Sequence, residues 1–172
     1  MARQKTVDVI IETPKGARNK YVYDKERNAF RLRKILPAGA VFPFDFGFIP
    51  DTKGEDGDPI DVLLIMDEPA YPGCIVESRV IGALKAKQTE RDKTTVRNDR
   101  FIAVSIDSDL YKDVRDMKDL NKTVRSQIEQ FFISYNSQAG KTFAPQGWVN
   151  AAQSMKLIEE ARSEEKKERG GR

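Results

Sequence analysis

An α+β fold is predicted: a strongly bent, barrel-like sheet followed by helices packed on its outside. Three observations predict it. Short runs rich in β-formers recur from Val7 to Ile106, broken by Pro, Gly and charged turns. One of them, Ile60 to Met66, is continuously apolar and reads as a strand buried on both faces. From about Asp116 the apolar spacing changes from two to three or four, the mark of a helix.

Val7 to Glu12 reads as the first strand, with Val7, Val9 and Ile11 on one face. Pro14 and Gly16 break it. Lys20 to Asp24 and Phe30 to Leu36 follow as short strands, and the three are expected to form an antiparallel meander. The aromatic stretch Val41 to Pro50 carries four Phe in seven residues. It is expected to be a buried, irregular crossing with a short edge strand. Cys74 to Ala86 is a further strand, with Gly82 as a bulge. Lys87 to Arg100 is charged enough to be an exposed loop or hairpin tip, and Phe101 to Ile106 returns as a strand. Met117, Leu120, Val124, Ile128, Phe131 and Tyr135 line one face of a helix that ends near Gly140. Ala151, Ala152, Met155 and Ile158 mark a second helix, with Asn150 as its N-cap. Residues 1–165 are read as one domain, and 166–172 as a charged, disordered tail.

Composition narrows the chemistry. The 172 residues contain no histidine and one cysteine. Imidazole catalysis, histidine-ligated zinc and an internal disulfide are therefore excluded. Cys74, beside Ile75 and Val76, is expected to be a buried thiol. A formal charge of +3 on a chain that is one-third charged is no signature of nucleic-acid binding. No apolar run approaches membrane-spanning length, and the start at residues 1–5 is not followed by a signal-type core. A soluble, cytoplasmic protein is the default.

The candidate site is Glu55-Asp56-Gly57-Asp58-Pro59-Ile60-Asp61. Aspartates two apart point the same way in an extended chain, and Pro59 bends the path toward Asp61. Like charges this close repel unless a cation lies between them, and hard oxygen donors suit Mg²⁺, Mn²⁺ or Ca²⁺. Taken singly, Asp56 and Asp58 are ordinary turn residues. Asp61 opens an apolar strand and needs a partner or a metal. The spacing does not fit an EF-hand.

Asp56-Gly57-Asp58-Pro59-Ile60-Asp61-Val62 resembles the Asp-x-Asp-Pro-x-Asp signature of the soluble family I inorganic pyrophosphatases. Its flanks resemble the family in order: Ile11-Glu12-Thr13-Pro14, Lys20-Tyr21, Phe46-Gly47-Phe48-Ile49-Pro50, Gly82-Ala83-Leu84, Phe131-Phe132 with Tyr135, and Gly147-Trp148. The resemblance implies a five-stranded closed, OB-like barrel with flanking helices, Mg²⁺-dependent hydrolysis of pyrophosphate to two phosphates, and a homo-oligomer, hexameric in bacteria. It implies that Asp56, Asp58 and Asp61 are metal ligands and that Asp58 also assists the attacking water. Glu12, Lys20, Lys34, Arg100 and Tyr135 match the positions that surround and hold the phosphates.

Several positions depart from the family's pattern. Val22 replaces a Glu, Lys34 an Arg, and Phe42 and Phe46 two Tyr. Gln88 and Asn98 fall where acids are expected, and Asn136 replaces a Lys. Glu90, Asp92 and Asp99 are the nearby acids that could supply replacement ligands. Two alternatives stand beside pyrophosphate hydrolysis. One is hydrolysis of another phosphoanhydride in a reshaped phosphate site. The other is a non-catalytic scaffold that binds phosphate, a nucleotide or a protein partner.

Overall fold

The computed structural model describes residues 4–171. Residues 1–3 and Arg172, part of the polar start and the charged end read from the sequence, lie outside the described residues. The strands are β1 (Thr6–Thr13), β2 (Asn19–Asp24), β3 (Ala29–Ile35), β4 (Asp45–Ile49), β5 (Ile60–Ile65), β6 (Ile75–Thr89), β7 (Thr95–Arg97) and β8 (Arg100–Ser105). A 3-10 turn at Met117–Asp119 precedes helix α1 (Lys122–Gln138); strand β9 (Thr142–Asn150) and helix α2 (Ala151–Gly170) complete the order.

Five strands close into a ring. The ladder runs β1-β4-β5-β8-β6, and β6 pairs back onto β1. All of these pairs are antiparallel except β5 with β8. Closure leaves no open edge between these strands. β6 makes it possible, because its fifteen residues serve several partners in turn. Its first residues pair with β1, its middle with β8, and its far end with β7 and β9. The register shifts between Val80 and Gly82, at the glycine expected to bulge.

The apolar residues divide by strand face, as a period of two requires. Val9, Ile49, Val62, Val80 and Ala103 pack in one cluster with Ile158 and Ala161 of α2. The alternate residues Leu63, Ile65, Ile81, Ile102 and Val104 pack in a second cluster with Ile128 and Phe132 of α1. β5 is covered on both faces, as its unbroken apolar run predicts. Burial of each large side chain contributes roughly 1.5–3 kcal/mol.

Other expectations are corrected. The first three strands do not form a meander. Both edges of β1 are taken, by β4 and β6, so β2 and β3 pair only with each other. β2 reaches β1 through Thr13, whose Oγ1 accepts from the Tyr21 N–H and donates to the Tyr21 carbonyl. β4 is not an edge strand; it is buried throughout and flanked by β1 and β5, with Pro43 and Pro50 outside its limits. Gly47 permits that packing, since a Cβ there would sit 2.1 Å from the Ile10 carbonyl oxygen.

The charged stretch after Ala86 is partly paired, as the β6–β7 hairpin and the start of β8. The helical stripe from Met117 is two elements, split at Leu120 and Asn121, where Asn121 caps α1 through the Thr123 N–H at 2.7 Å. Thr142–Asn150, which holds Gly147-Trp148, is a strand along β6. The expected tail continues α2 to Gly170, with Glu168 paired to Lys53 and Arg169 to Asp51 at 2.9 Å. Cys74 is exposed rather than buried, because it lies in the turn before β6 and Ile75 beside it faces outward. No helix among the described residues is long and apolar enough to cross a membrane.

Candidate active site

The acidic residues come from the loop between β4 and β5. Buried Thr52 ties its base: Oγ1 donates to the Ile49 carbonyl and accepts from the Ile60 N–H at 3.0 Å. Within the loop the Gly54 N–H reaches the Asp58 carbonyl at 2.8 Å, and the Asp58 N–H reaches Asp56 Oδ1 at 3.1 Å. Gly57 takes φ +88°, a conformation that costs glycine little and other residues more. Asp56 and Asp58 are thereby held on one exposed turn.

Crowding by the loop pushes the Asp56 carboxyl above its ordinary range. The nearby charge of Asp58 adds to the rise, and the Asp58 N–H and Arg100 oppose it. Two hard-oxygen donors that repel each other, with no ion pair to either among the described residues, fit a divalent cation. Asp61 lines one cavity with Asp56 and Asp99. At the start of β5 it forms an ion pair with Arg100, which opens β8. Among the described residues, no group of three acidic side chains converges as a ligand set.

A cationic cluster faces the loop. Lys20 and Lys34 are direct cross-strand partners on β2 and β3. Their ammonium groups lie 5.2 and 3.9 Å from the ring centre of Tyr135 on α1. Lys20 also lies 5.5 Å from the Phe46 ring, and the Arg100 guanidinium 5.0 Å from Phe132. Like charges directly opposite in a ladder destabilise it, and aromatic faces offset part of that cost. An anion between them offsets more. Burial, then the charge of Arg100, lowers the Lys20 pKa to about 8, with Glu12 opposing. Glu12 on β1 accepts from the Tyr23 N–H at 2.8 Å. Burial raises its pKa; the Tyr23 N–H and Lys20 oppose the rise, and Asp58 adds to it. Glu12 thus lies within electrostatic reach of both the acidic loop and the lysines.

Arg100, expected to reach substrate, is instead 5% exposed and committed to Asp61. Burial lowers its pKa to about 10. Its Nε has no partner among the described residues, so donor capacity remains. The proposed replacement ligands are also taken. Glu90 binds Lys141 at 2.8 Å and the Gln88 amide at 2.6 Å. Asp92 closes a turn on Thr94, and Asp99 pairs with Arg97 at 2.6 Å. Phe42 and Phe46, where hydroxyls are missing, pack with Phe131, Phe132 and Tyr135 as an aromatic floor. Sequence reasoning missed Thr52. Its only signal is a hydroxyl just after a strand and before an acidic loop.

Residues 9–166 match the family described as inorganic pyrophosphatase. The chain belongs to the inorganic pyrophosphatase family. It is 36% identical to an inorganic pyrophosphatase of Synechocystis over 154 residues, which cover 90% of this chain and 88% of that protein. Another relative, an inorganic pyrophosphatase of Methanosarcina mazei, is 34% identical over 162 residues, 94% of this chain and 93% of that one. The crystal structure of inorganic pyrophosphatase from Thermus thermophilus superposes with a TM-score of 0.86 at 30% identity, covering 96% of this chain and 94% of the other. Membership in this family accounts for the closed five-strand ring and for the order of the motifs along the chain.

Proposed function

We propose that this chain hydrolyses inorganic pyrophosphate to two phosphates with Mg²⁺, or Mn²⁺ in its place. One observation supports the reading: Glu12 lies within electrostatic reach both of Asp58 in the acidic loop and of Lys20, one of two cross-strand lysines over the Tyr135 ring. Pyrophosphate is an anion that needs cations on both sides, and this mouth offers two kinds.

Asp56 and Asp58 are the residues that would hold the divalent ion. When bound, that ion supplies a water of lowered pKa and shields the charge of the phosphate oxygens. Lys20 and Lys34 bind phosphate oxygens and orient the substrate for in-line attack. A carboxylate oxygen of Asp58 accepts the proton of the attacking water. The water oxygen bonds to one phosphorus, the bridging P–O bond breaks, and its electron pair leaves on the second phosphate. The Tyr135 ring fixes the ammonium groups of both lysines. A homo-oligomer, hexameric by the family resemblance, and a cytoplasmic setting belong to the same reading; light scattering of the purified chain tests the first.

The test is phosphate release from pyrophosphate with Mg²⁺. Wild type is expected to turn over, and Asp58→Asn to lose about 10²- to 10⁴-fold in kcat. Turnover of a different phosphoanhydride but not of pyrophosphate contradicts the substrate assignment. Calorimetric binding of pyrophosphate with no turnover contradicts the catalytic one.

A further inference from the structure

A cavity of about 290 Å³ lies beside the lysine pair, between the end of β3, the loop that follows it and helix α1. Lys34 and Tyr135 line it, so it shares a wall with the mouth that binds phosphate. Leu36, Pro37, Ala40 and Phe131 give it an apolar wall, and Ile35 at its edge is left 59% exposed. Ser134 and Gln138 bring polar groups from α1, and Arg91 brings a second cation from the turn between β6 and β7. No carboxylate lines this cavity among the described residues, and neither Lys34 nor Arg91 has an ion pair there. An apolar space between two unpaired cations fits an anion that carries an organic body.

The walls are fixed before any ligand arrives. The Leu36 N–H donates to the Arg18 carbonyl at 2.9 Å, and Arg18 Nε donates back to the Leu36 carbonyl at 2.8 Å. The Ala40 N–H closes onto the Pro37 carbonyl at 3.0 Å. Arg91 Nε donates to the Ala139 carbonyl at 2.8 Å, at the end of α1. A preformed cavity spares the ligand the cost of ordering it. Inorganic pyrophosphate has no apolar part to place against these walls. Donors on the phosphate side are also few. Asn136, next to Tyr135, is 3% exposed and its amide donates to the Phe132 carbonyl at 2.8 Å, while Phe42 and Phe46 carry no hydroxyl. A phosphate that bears an ester group has one fewer free oxygen to satisfy and brings apolar surface to bury.

We propose that this cavity seats the organic group of a phosphate monoester, a flat ring-sized body, while its phosphate lies at Lys34. Such esters then compete with pyrophosphate for the mouth. The proposal rests on the reading of Lys20 and Lys34 as phosphate-binding residues and adds a ligand class to it. The volume suits a single ring, and the planar guanidinium of Arg91 is of the kind that stacks on one.

The test compares methyl phosphate with phenyl phosphate, by calorimetric titration of the folded chain with Mg²⁺ present and by inhibition of pyrophosphate hydrolysis. Wild type is expected to bind phenyl phosphate about tenfold tighter than methyl phosphate. Phenyl phosphate should raise the KM for pyrophosphate and leave kcat unchanged. Ser134→Trp, on an exposed position of α1, fills the cavity. It should erase the preference while leaving methyl phosphate affinity and the kcat for pyrophosphate as in wild type. Lys34→Gln should weaken both esters by about tenfold. Circular dichroism checks folding, and if Ser134→Trp is not folded, the wild-type ratio decides. Equal affinities in wild type, a preference that survives in folded Ser134→Trp, or inhibition that excess pyrophosphate does not relieve overturns the cavity assignment and leaves pyrophosphate hydrolysis standing. Neither ester bound, or unchanged affinities in Lys34→Gln, overturns the phosphate reading of the lysine pair and the cavity assignment with it.

Discussion

Lys20 shows how one side chain couples fold to substrate. Its folded pKa, about 8, lies below the ordinary 10.5 because burial and Arg100 disfavour its charge. The charged form binds a phosphate oxygen, so affinity for pyrophosphate should weaken as pH rises through about 8. The KM of wild type is expected to climb across that range. Lys20→Arg, which stays charged, should remove the climb. The stability sign is opposite. Between about 8 and 10.5 the unfolded lysine binds more protons than the folded one, so this group's contribution to stability rises with pH there. Urea midpoints of wild type against Lys20→Met check it; an equal pH slope in both contradicts the account. The aromatic floor makes a separate prediction. Phe46→Leu removes a ring beneath Lys20 and Arg100, which should cost about 1 kcal/mol of pyrophosphate binding in a calorimeter.

At the scale of elements, the site depends on two clips that lie outside it. Thr52 closes the base of the acidic loop. Thr52→Val keeps the shape but leaves the Ile60 N–H unpaired, so the loop should open and Mn²⁺ affinity fall by about tenfold, read by titration. Asp45 is the second clip. It is 1% exposed, and its two oxygens accept from the Lys15 N–H at 2.6 Å and the Ala70 N–H at 2.8 Å. Burial raises its pKa while those two N–H groups and Lys15 oppose the rise. Asp45→Ala strands both donors and should cost roughly 2–4 kcal/mol in urea unfolding. Neither clip is visible from composition or periodicity: Asp45 joins segments 30 and 25 positions away, and the local Thr52 clip is a single hydroxyl that carries no repeat.

Across the whole molecule, what the sequence makes legible is local. The unbroken run Ile60 to Met66 announces a strand covered on both faces, and the spacing of Ile128, Phe131 and Tyr135 announces a helix. Gly82 and Gly140 fall where a register shift and a helix end occur. What the sequence leaves open is pairing. Nothing in β1 says that both its edges are taken by strands from later in the chain, which is why the expected meander resolves into a barrel strand and a separate hairpin. The site divides in the same way. Asp56 and Asp58 are legible from spacing, and Lys20, Lys34 and Tyr135 from motif order. The engagement of Asp61 by Arg100 is a contact between strands 39 positions apart, and no pattern along the chain carries it.

The central claim is that the mouth formed by these elements turns pyrophosphate into phosphate with a divalent ion. Phosphorus-31 NMR of pyrophosphate with the purified chain and Mg²⁺ tests it directly. The account predicts that the pyrophosphate resonance is replaced by orthophosphate alone, that a chelator stops the conversion and excess Mg²⁺ restores it, and that Asp58→Asn converts it about 10²- to 10⁴-fold more slowly. A pyrophosphate resonance that persists unchanged with folded wild-type chain and excess Mg²⁺ or Mn²⁺ would contradict it.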